Sequence, residues 1–310
     1  MSYPSAGQAQ TGLGTEWRAN ARGRSQRRNV ARVLDRAMIL FGVLFFGLFA
    51  VMPFVYMVSG SFKTLNEILR GFPSIIPEQP TLTNYHYALF GNDLVQTSYP
   101  LNVRNSLSIA AMTVALVMVI ALPAALVLAR RQFWWTTLLS GWVRVAQVVS
   151  GIIVLIPTFL ILRNLDLVDN LLGVSLAESI PLSAFAIWIL TSFIREIPFA
   201  LDEAAEIDGA GQWQRLLYII IPLARPGIVG VTLLVFLGSW NDFLNPLILL
   251  SDPNKYTIMI GLNTYIGMGG QIEWGRLLCV CTMSCIPPAL LIIFAERHIV
   301  RGLSAGAIKE

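Results

Sequence analysis

The chain has 310 residues, of which 55% are hydrophobic and 13% charged, with a formal net charge of +4 and a mean hydropathy of +0.65. The charged fraction is about half that of an ordinary soluble domain, so too little polar surface remains to coat a water-soluble globule. The basic residues sit at the ends of apolar runs and in loops rather than on one continuous face, which argues against a nucleic-acid partner.

In chain order, residues 1–36 are polar and carry Arg18, Arg22, Arg24, Arg27, Arg28, Arg32 and Arg36 against only Glu16 and Asp35, a pattern that predicts a disordered basic arm. The apolar run at 37–58 is too long for a signal-peptide core and lacks a small-residue cleavage site, so it reads as an uncleaved anchor. Further runs lie near 105–129, 142–162, 176–194, 226–250 and 277–295. Each is about 20 residues, the length that crosses a hydrocarbon core as a helix. The expected fold is an all-α membrane protein with six transmembrane helices over 37–295. Placing both ends in the cytoplasm puts sixteen of the 22 Lys and Arg residues inside, as cytoplasmic segments require. A tail at 296–310 follows the last span.

The outer segment 59–103 holds Pro73, Pro77, Pro80 and Pro100 and is expected to be an ordered loop with a short helix around 84–90. Pro53, Pro123, Pro157, Pro246, Pro287 and Pro288 each remove a backbone donor inside a span, which neighbouring helices must compensate. Cys279, Cys281 and Cys285 share one apolar run without metal-site or disulfide spacing and read as small packing residues.

The most informative stretch is the cytoplasmic loop at 198–222: Glu203-Ala204-Ala205, then Asp208-Gly209-Ala210, Trp213, and Ile221-Pro222-Leu223. Pro198 can open a short helix, and Asp202 and Glu203 favour its amino end through the helix dipole. Ala204, Ala205 and Ala210 offer a low-relief surface, and Gly209 permits a sharp turn. Pro222 and Pro226 are expected to break the helix before the next span. The whole reads as a rigid acidic knuckle for a groove on a soluble partner, rather than as an amphipathic surface helix.

Glu203 to Pro222 resembles, without a gap, the EAA loop of ATP-binding-cassette importer permeases, with Leu216 where many members have phenylalanine. Two further blocks resemble the carbohydrate subgroup of the maltose and glycerol-phosphate class. One is Trp240-Asn241-Asp242-Phe243 with Asn245-Pro246-Leu247 and Ser251-Asp252-Pro253. The other is the tail Arg301-Gly302-Leu303-Ser304-Ala305-Gly306-Ala307-Ile308-Lys309, similar to that of the second permease subunit. The resemblance implies a type I importer permease in the cytoplasmic (inner) membrane of a prokaryote. It further implies a second permease subunit, two ATPase subunits that bind ATP and Mg, and an extracytoplasmic solute-binding protein. Glu203 would meet a basic residue of the ATPase, Ala204, Ala205 and Gly209 would line that contact, Asp208 would order the turn, and the tail would reach into the ATPase dimer.

Asn241, Asp242 and Asn245 fall at i, i+1 and i+4, so on a continuous helix Asn241 and Asn245 would share a face toward a hydroxyl-rich solute. The competing reading of Asp242 is an interfacial residue near the outer end of its span. Gln147 and Ser150 form a weaker i, i+3 pair, equally readable as a contact between helices. The chain has no G-x-x-x-x-G-K-[ST] loop, so no cofactor is expected on it. An ion-gradient-driven secondary transporter or channel, the alternative reading, would need ionisable residues deep in several spans, and only Asp242 approaches that.

Overall fold

The computed structural model describes residues 9–70, 74–90, 98–131, 133–149, 151–266 and 272–306, with side chains between 34 and 296. It divides into two units, Met1–Tyr56 and Met57–Glu310, each described by itself. Every regular element among the described residues is helical.

Helix α1, Ala9–Ser61, supplies the first unit. Its backbone is helical from Ala9, where the composition predicts a disordered arm. Once the apolar stretch has nucleated a helix, each added residue is cheap to order, and Ala, Arg and Gln are good helix formers. The apolar side chains from Met38 to Phe54 face outward, including the stacked pair Phe41 and Phe45.

In the second unit, α2 (Leu65–Leu69) and α3 (Thr83–Phe90) organise the outer segment, α3 lying where a short helix is expected. The Asn84 amide donates to the Ser61 and Lys63 carbonyls, each at 2.9 Å, and the hydroxyls of Ser61 and Tyr85 meet at 2.8 Å. The chain continues through α4 (Tyr99–Arg130), α5 (Trp134–Val148), α6 (Gly151–Asn164) and α7 (Leu171–Glu196). Two short helices follow, α8 (Ala200–Ile207) and α9 (Gln212–Arg215), then a π turn at Leu216–Ile220 and α10 (Ile221–Trp240). The remainder is α11 (Leu244–Leu249), α12 (Ile258–Thr264), α13 (Trp274–Ser284) and α14 (Ile286–Gly306).

Five helical stretches are long and apolar enough to cross a membrane: Leu34–Ser61, Tyr99–Arg130, Leu171–Glu196, Gln212–Trp240 and Trp274–Glu296. The pair α5 and α6, bent by 100°, makes a sixth crossing if counted as one span. The single span expected at 142–162 is therefore split between two helices. Arg144 and Gln147 lie near the end of α5 among tryptophans, side chains that settle at a membrane surface rather than in its core. The expected break at Pro222 and Pro226 also differs. Pro222 sits in the first turn of α10, where a missing donor is harmless, and the helix runs on through Pro226. The wide π turn before it absorbs the misfit.

The core is built from three helices, with α4 against α7 as the dominant pair and α10 across both. Residues at spacings of three and four form one stripe per helix: Val117, Ala121, Ala125 and Leu128 on α4; Ala186, Leu190 and Ile194 on α7; Ala224, Val231 and Val235 on α10. Small residues let the backbones approach, since dispersion rather than water exclusion drives packing in lipid. At Gly227 of α10 an added Cβ would lie 2.5 Å from the Phe193 ring, so the crossing with α7 tolerates only glycine. A second apolar cluster, with Ile109, Val174, Ala177 and Leu249, fills the other end.

Candidate functional site

Helix α8 starts at Ala200, two residues after Pro198, and carries Asp202 and Glu203 in its first turn. The two acids part company there. Glu203 is exposed, whereas Asp202 is buried, with Oδ2 3.1 Å from Nε of Arg130 at the end of α4. Arg130 also donates through Nη1 to the Ile197 carbonyl at 3.0 Å, so one guanidinium clamps both the approach to α8 and its first turn. An ion pair this buried is expensive to break from one side, because the remaining charge stays desolvated.

The helix stops by a glycine cap. The Asp208 N–H bonds the Ala204 carbonyl at 3.0 Å and the Ala210 N–H bonds the Ala205 carbonyl at 2.9 Å, while Gly209 takes φ +82°, a left-handed conformation that glycine adopts without a Cβ penalty. The Gln214 side-chain oxygen then accepts the Gly211 N–H at 2.8 Å, and Arg215 pairs with Glu206 at 2.7 Å, lashing α9 to α8. Of the expected contact residues, Glu203, Ala204, Asp208 and Gly209 are exposed, Ala210 is half-buried, and Ala205 turns inward to pack under the helix. Ile207 is 87% exposed and Trp213 76%, with Leu217 and Tyr218 beside them. A rigid knuckle thus presents a carboxylate amid large apolar side chains that none of the described residues covers, the composition of a protein-contact patch. A cavity of about 440 Å³ lies behind it, bounded by Val127, Arg130, Glu206, Trp213 and Leu216.

At the opposite end, α10 stops at Trp240, so Asn241 and Asn245 do not share a helical face. The Asp242 carboxylate breaks the helix: Oδ1 accepts the N–H groups of Leu244 at 3.0 Å and Asn245 at 3.4 Å, and Oδ2 accepts the Asn245 amide at 2.6 Å. Aspartate takes this capping role because its short side chain competes with the backbone for donors. Asn241 caps backward, donating to the Leu237 carbonyl at 2.8 Å, and remains exposed. Gln147 is exposed on α5, with its amide 3.4 Å from the Val143 carbonyl, and Ser150 lies outside the described residues.

The Ser251-Asp252-Pro253 block closes over the α6–α7 turn. Asp169, at φ +56°, accepts the N–H groups of Ser251 and Asp252 at 3.0 Å each, and its Oδ2 lies 2.6 Å from Nζ of Lys255. The Lys255 ammonium, with help from those two amides, holds the Asp169 carboxyl down at about 2, below its usual 3.8. Asn105 fastens the same loop to α4 through the Asn254 carbonyl at 2.8 Å.

Sequence reasoning leaves two residues unread in part or in whole. Asp202 is one: its charge places it at the amino end of the helix, but its buried pairing with Arg130 is not foreseen. The other is Glu178, 2% exposed inside α7, whose carboxyl accepts the hydroxyls of Thr113 on α4 at 3.1 Å and of Ser239 on α10. The signal was present, an acid among apolar neighbours two residues into the predicted span at 176–194, and buried carboxyls of this kind are rare enough to matter. It forms a polar layer between the two apolar clusters, one helical turn before the Asp242 break. In the tail, residues 301–306 continue α14 as helix; their side chains, with those of Arg301 and Leu303 among them, and residues 307–310 lie outside the described set.

Residues 118–304 match the family described as binding-protein-dependent transport system inner membrane component. The chain is 30% identical over 280 residues to the trehalose/maltose transport system permease protein MalG of Thermococcus litoralis, covering 89% of this chain and 98% of that one. It is 31% identical over 263 residues to the trehalose transport system permease protein SugB of Mycobacterium tuberculosis, covering 84% and 93%. Its fold is similar to that of a chain from a bacterial ABC transporter involved in the import of the acidic polysaccharide alginate, with a TM-score of 0.69, 20% identity, and coverage of 96% of this chain and 99% of that one. With the match running from within α4 into α14, over more than half of the chain, the chain belongs to the binding-protein-dependent transport system inner membrane components.

Proposed function

We propose that the chain is one of two permease subunits of an ATP-binding-cassette importer for a sugar or related polyhydroxylated solute. A second permease completes the pathway, two ATPase subunits supply the work from ATP and Mg, and an extracytoplasmic binding protein delivers the solute. The site is the inner membrane of a prokaryote, with both chain ends cytoplasmic. The observation that carries the reading is the α8–α9 knuckle: an exposed Glu203 among uncovered Ile207 and Trp213, tied by Arg130–Asp202 to the end of a membrane helix. Through that tie, a push on α8 reaches α4 without being spent on bending the loop. Asn241, Asp242 and Asn245, at a break between α10 and α11, are the proposed polar lining of the solute path, and Arg301 to Gly306 the proposed tail contact with the ATPases. The relatives named for trehalose and maltose support the solute class.

The test is uptake of radiolabelled disaccharides by vesicles holding the complete importer, with and without ATP inside. Uptake that follows an imposed ion gradient and ignores ATP would favour the secondary-transporter reading, for which the buried Glu178 is the one structural observation.

A further inference from the structure

Beside the knuckle, at the same end of the helix bundle, a cavity of about 940 Å³ opens between the end of α4, the start of α5 and the end of α7. A smaller one of about 100 Å³ lies next to it along α5 and α7, sharing Leu128, Ser140 and Arg195. Four guanidinium groups line the two: Arg130, Arg131, Arg144 and Arg195. Among the described residues, no carboxylate lines either one. Asp202, which pairs with Arg130, offsets a single charge.

The internal bonds leave most of these donors unused. Arg195 gives one N–H to the Leu128 carbonyl at 3.2 Å, and Arg144 gives one to the Ser140 carbonyl at 3.1 Å. Nη2 of Arg130 is buried with no hydrogen-bond partner. A guanidinium carries five N–H donors in a planar fork that fits phosphate oxygens in pairs. The hydroxyls of Thr137 and Ser140 add neutral donors to the same wall.

The rim is as telling as the floor. Trp134 and Trp188 line the cavities and are exposed, and α5 carries the exposed Leu138, Leu139 and Val145. Indole rings collect at the level of lipid headgroups, and exposed leucine and valine belong below it, against acyl chains. Basic floor, indole rim and apolar slope together match one molecule: a phosphate headgroup with its tails still in the bilayer.

We infer that this arginine-lined cavity between α4, α5 and α7 is a binding site for an anionic phospholipid, with the phosphate on Arg131, Arg144 and Arg195 and the acyl chains along α5. A lipid held there braces the end of α7 that leads into the knuckle, and occupancy rises with the anionic content of the leaflet.

The test is native mass spectrometry of the assembled importer, released from detergent and titrated with phosphatidylglycerol, with phosphatidylcholine of the same chains, and with inorganic phosphate. Retention of phosphatidylglycerol over phosphatidylcholine is expected. The double variant Arg131→Gln/Arg144→Gln should lose at least about ten-fold in that retention, from the removal of two basic contacts. Arg131→Lys/Arg144→Lys, which keeps the charge, should restore part of it and guards against misfolding. Equal retention by the Gln variant and the parent, or no preference between the two lipids, overturns the assignment. Displacement of phosphatidylglycerol by millimolar inorganic phosphate overturns it too, since it would make the site one for a soluble anion.

Discussion

Nε of Arg130 lies 3.1 Å from Oδ2 of Asp202, joining the last residue of α4 to the first turn of α8. Both side chains are nearly buried, so the pair is a fixed joint rather than a surface contact. Asp202→Asn keeps the shape of the side chain and removes its charge, leaving Arg130 desolvated and uncompensated. A cost on the order of 3 kcal/mol is expected from breaking such a pair on one side. In vesicle assays, solute uptake should fall several-fold while the ATPase subunits remain attached.

Glu203 occupies the same helical turn but faces outward. Glu203→Arg leaves the fold of α8 intact and reverses the charge offered to the motor subunit. ATP turnover should then uncouple from uptake, or the ATPases should be lost on purification. Unchanged uptake together with unchanged assembly would remove the coupling role from this residue.

The layer of Thr113, Glu178 and Ser239 makes a different prediction. Glu178→Gln retains one acceptor for the two hydroxyls, and Glu178→Leu strands both of them. Stranding a buried hydroxyl costs roughly 1–3 kcal/mol. The Leu variant should therefore have a lower unfolding midpoint in detergent than the Gln variant. If the two melt alike, the layer is not held by these bonds.

At the outer end, the Asp169–Lys255 tie sets a pH window. The folded-state carboxyl titrates near 2 and the unfolded one near 3.8. Its contribution is thus fully present above about pH 4 and is lost as pH falls toward 2. Both partners are about one-third exposed, so solvent screening holds the contribution to about 1 kcal/mol. Protection of the Ser251 and Asp252 amides from hydrogen exchange, taken relative to the intrinsic rate at each pH, should fall over that window in the parent. In Lys255→Met the fall should begin at higher pH.

Much of this was legible in the residues. Apolar run length gave the helical membrane fold, because lipid imposes that length with few exceptions. The turn at Asp208 and Gly209 was readable because a capped turn needs particular residues at particular spacings. Other features depend on partners far along the chain. Whether Asp202 or Glu203 points inward turns on Arg130, some 70 residues earlier. Asn241 and Asn245 have helical spacing, and only the Asp242 carboxylate, by capturing the next amides, ends the helix between them. The continuity of α10 through Pro226 likewise depended on a π turn that no local pattern announced.

The buried carboxyl of α7 also bears on how the chain enters the bilayer. With Glu178 and the serines at 175, 179 and 183, α7 is the least apolar of the long helices, yet it is half covered by its neighbours. An acid inside a lone span raises the cost of leaving the translocon, by up to roughly 3 kcal/mol where it lies at the span centre. Thr113 on α4 is synthesised earlier and can be waiting in the membrane, whereas Ser239 on α10 comes later. The expected order of assembly therefore has a direction: α7 is expected to insert more readily with α4 already in place, and α10 to close the group last.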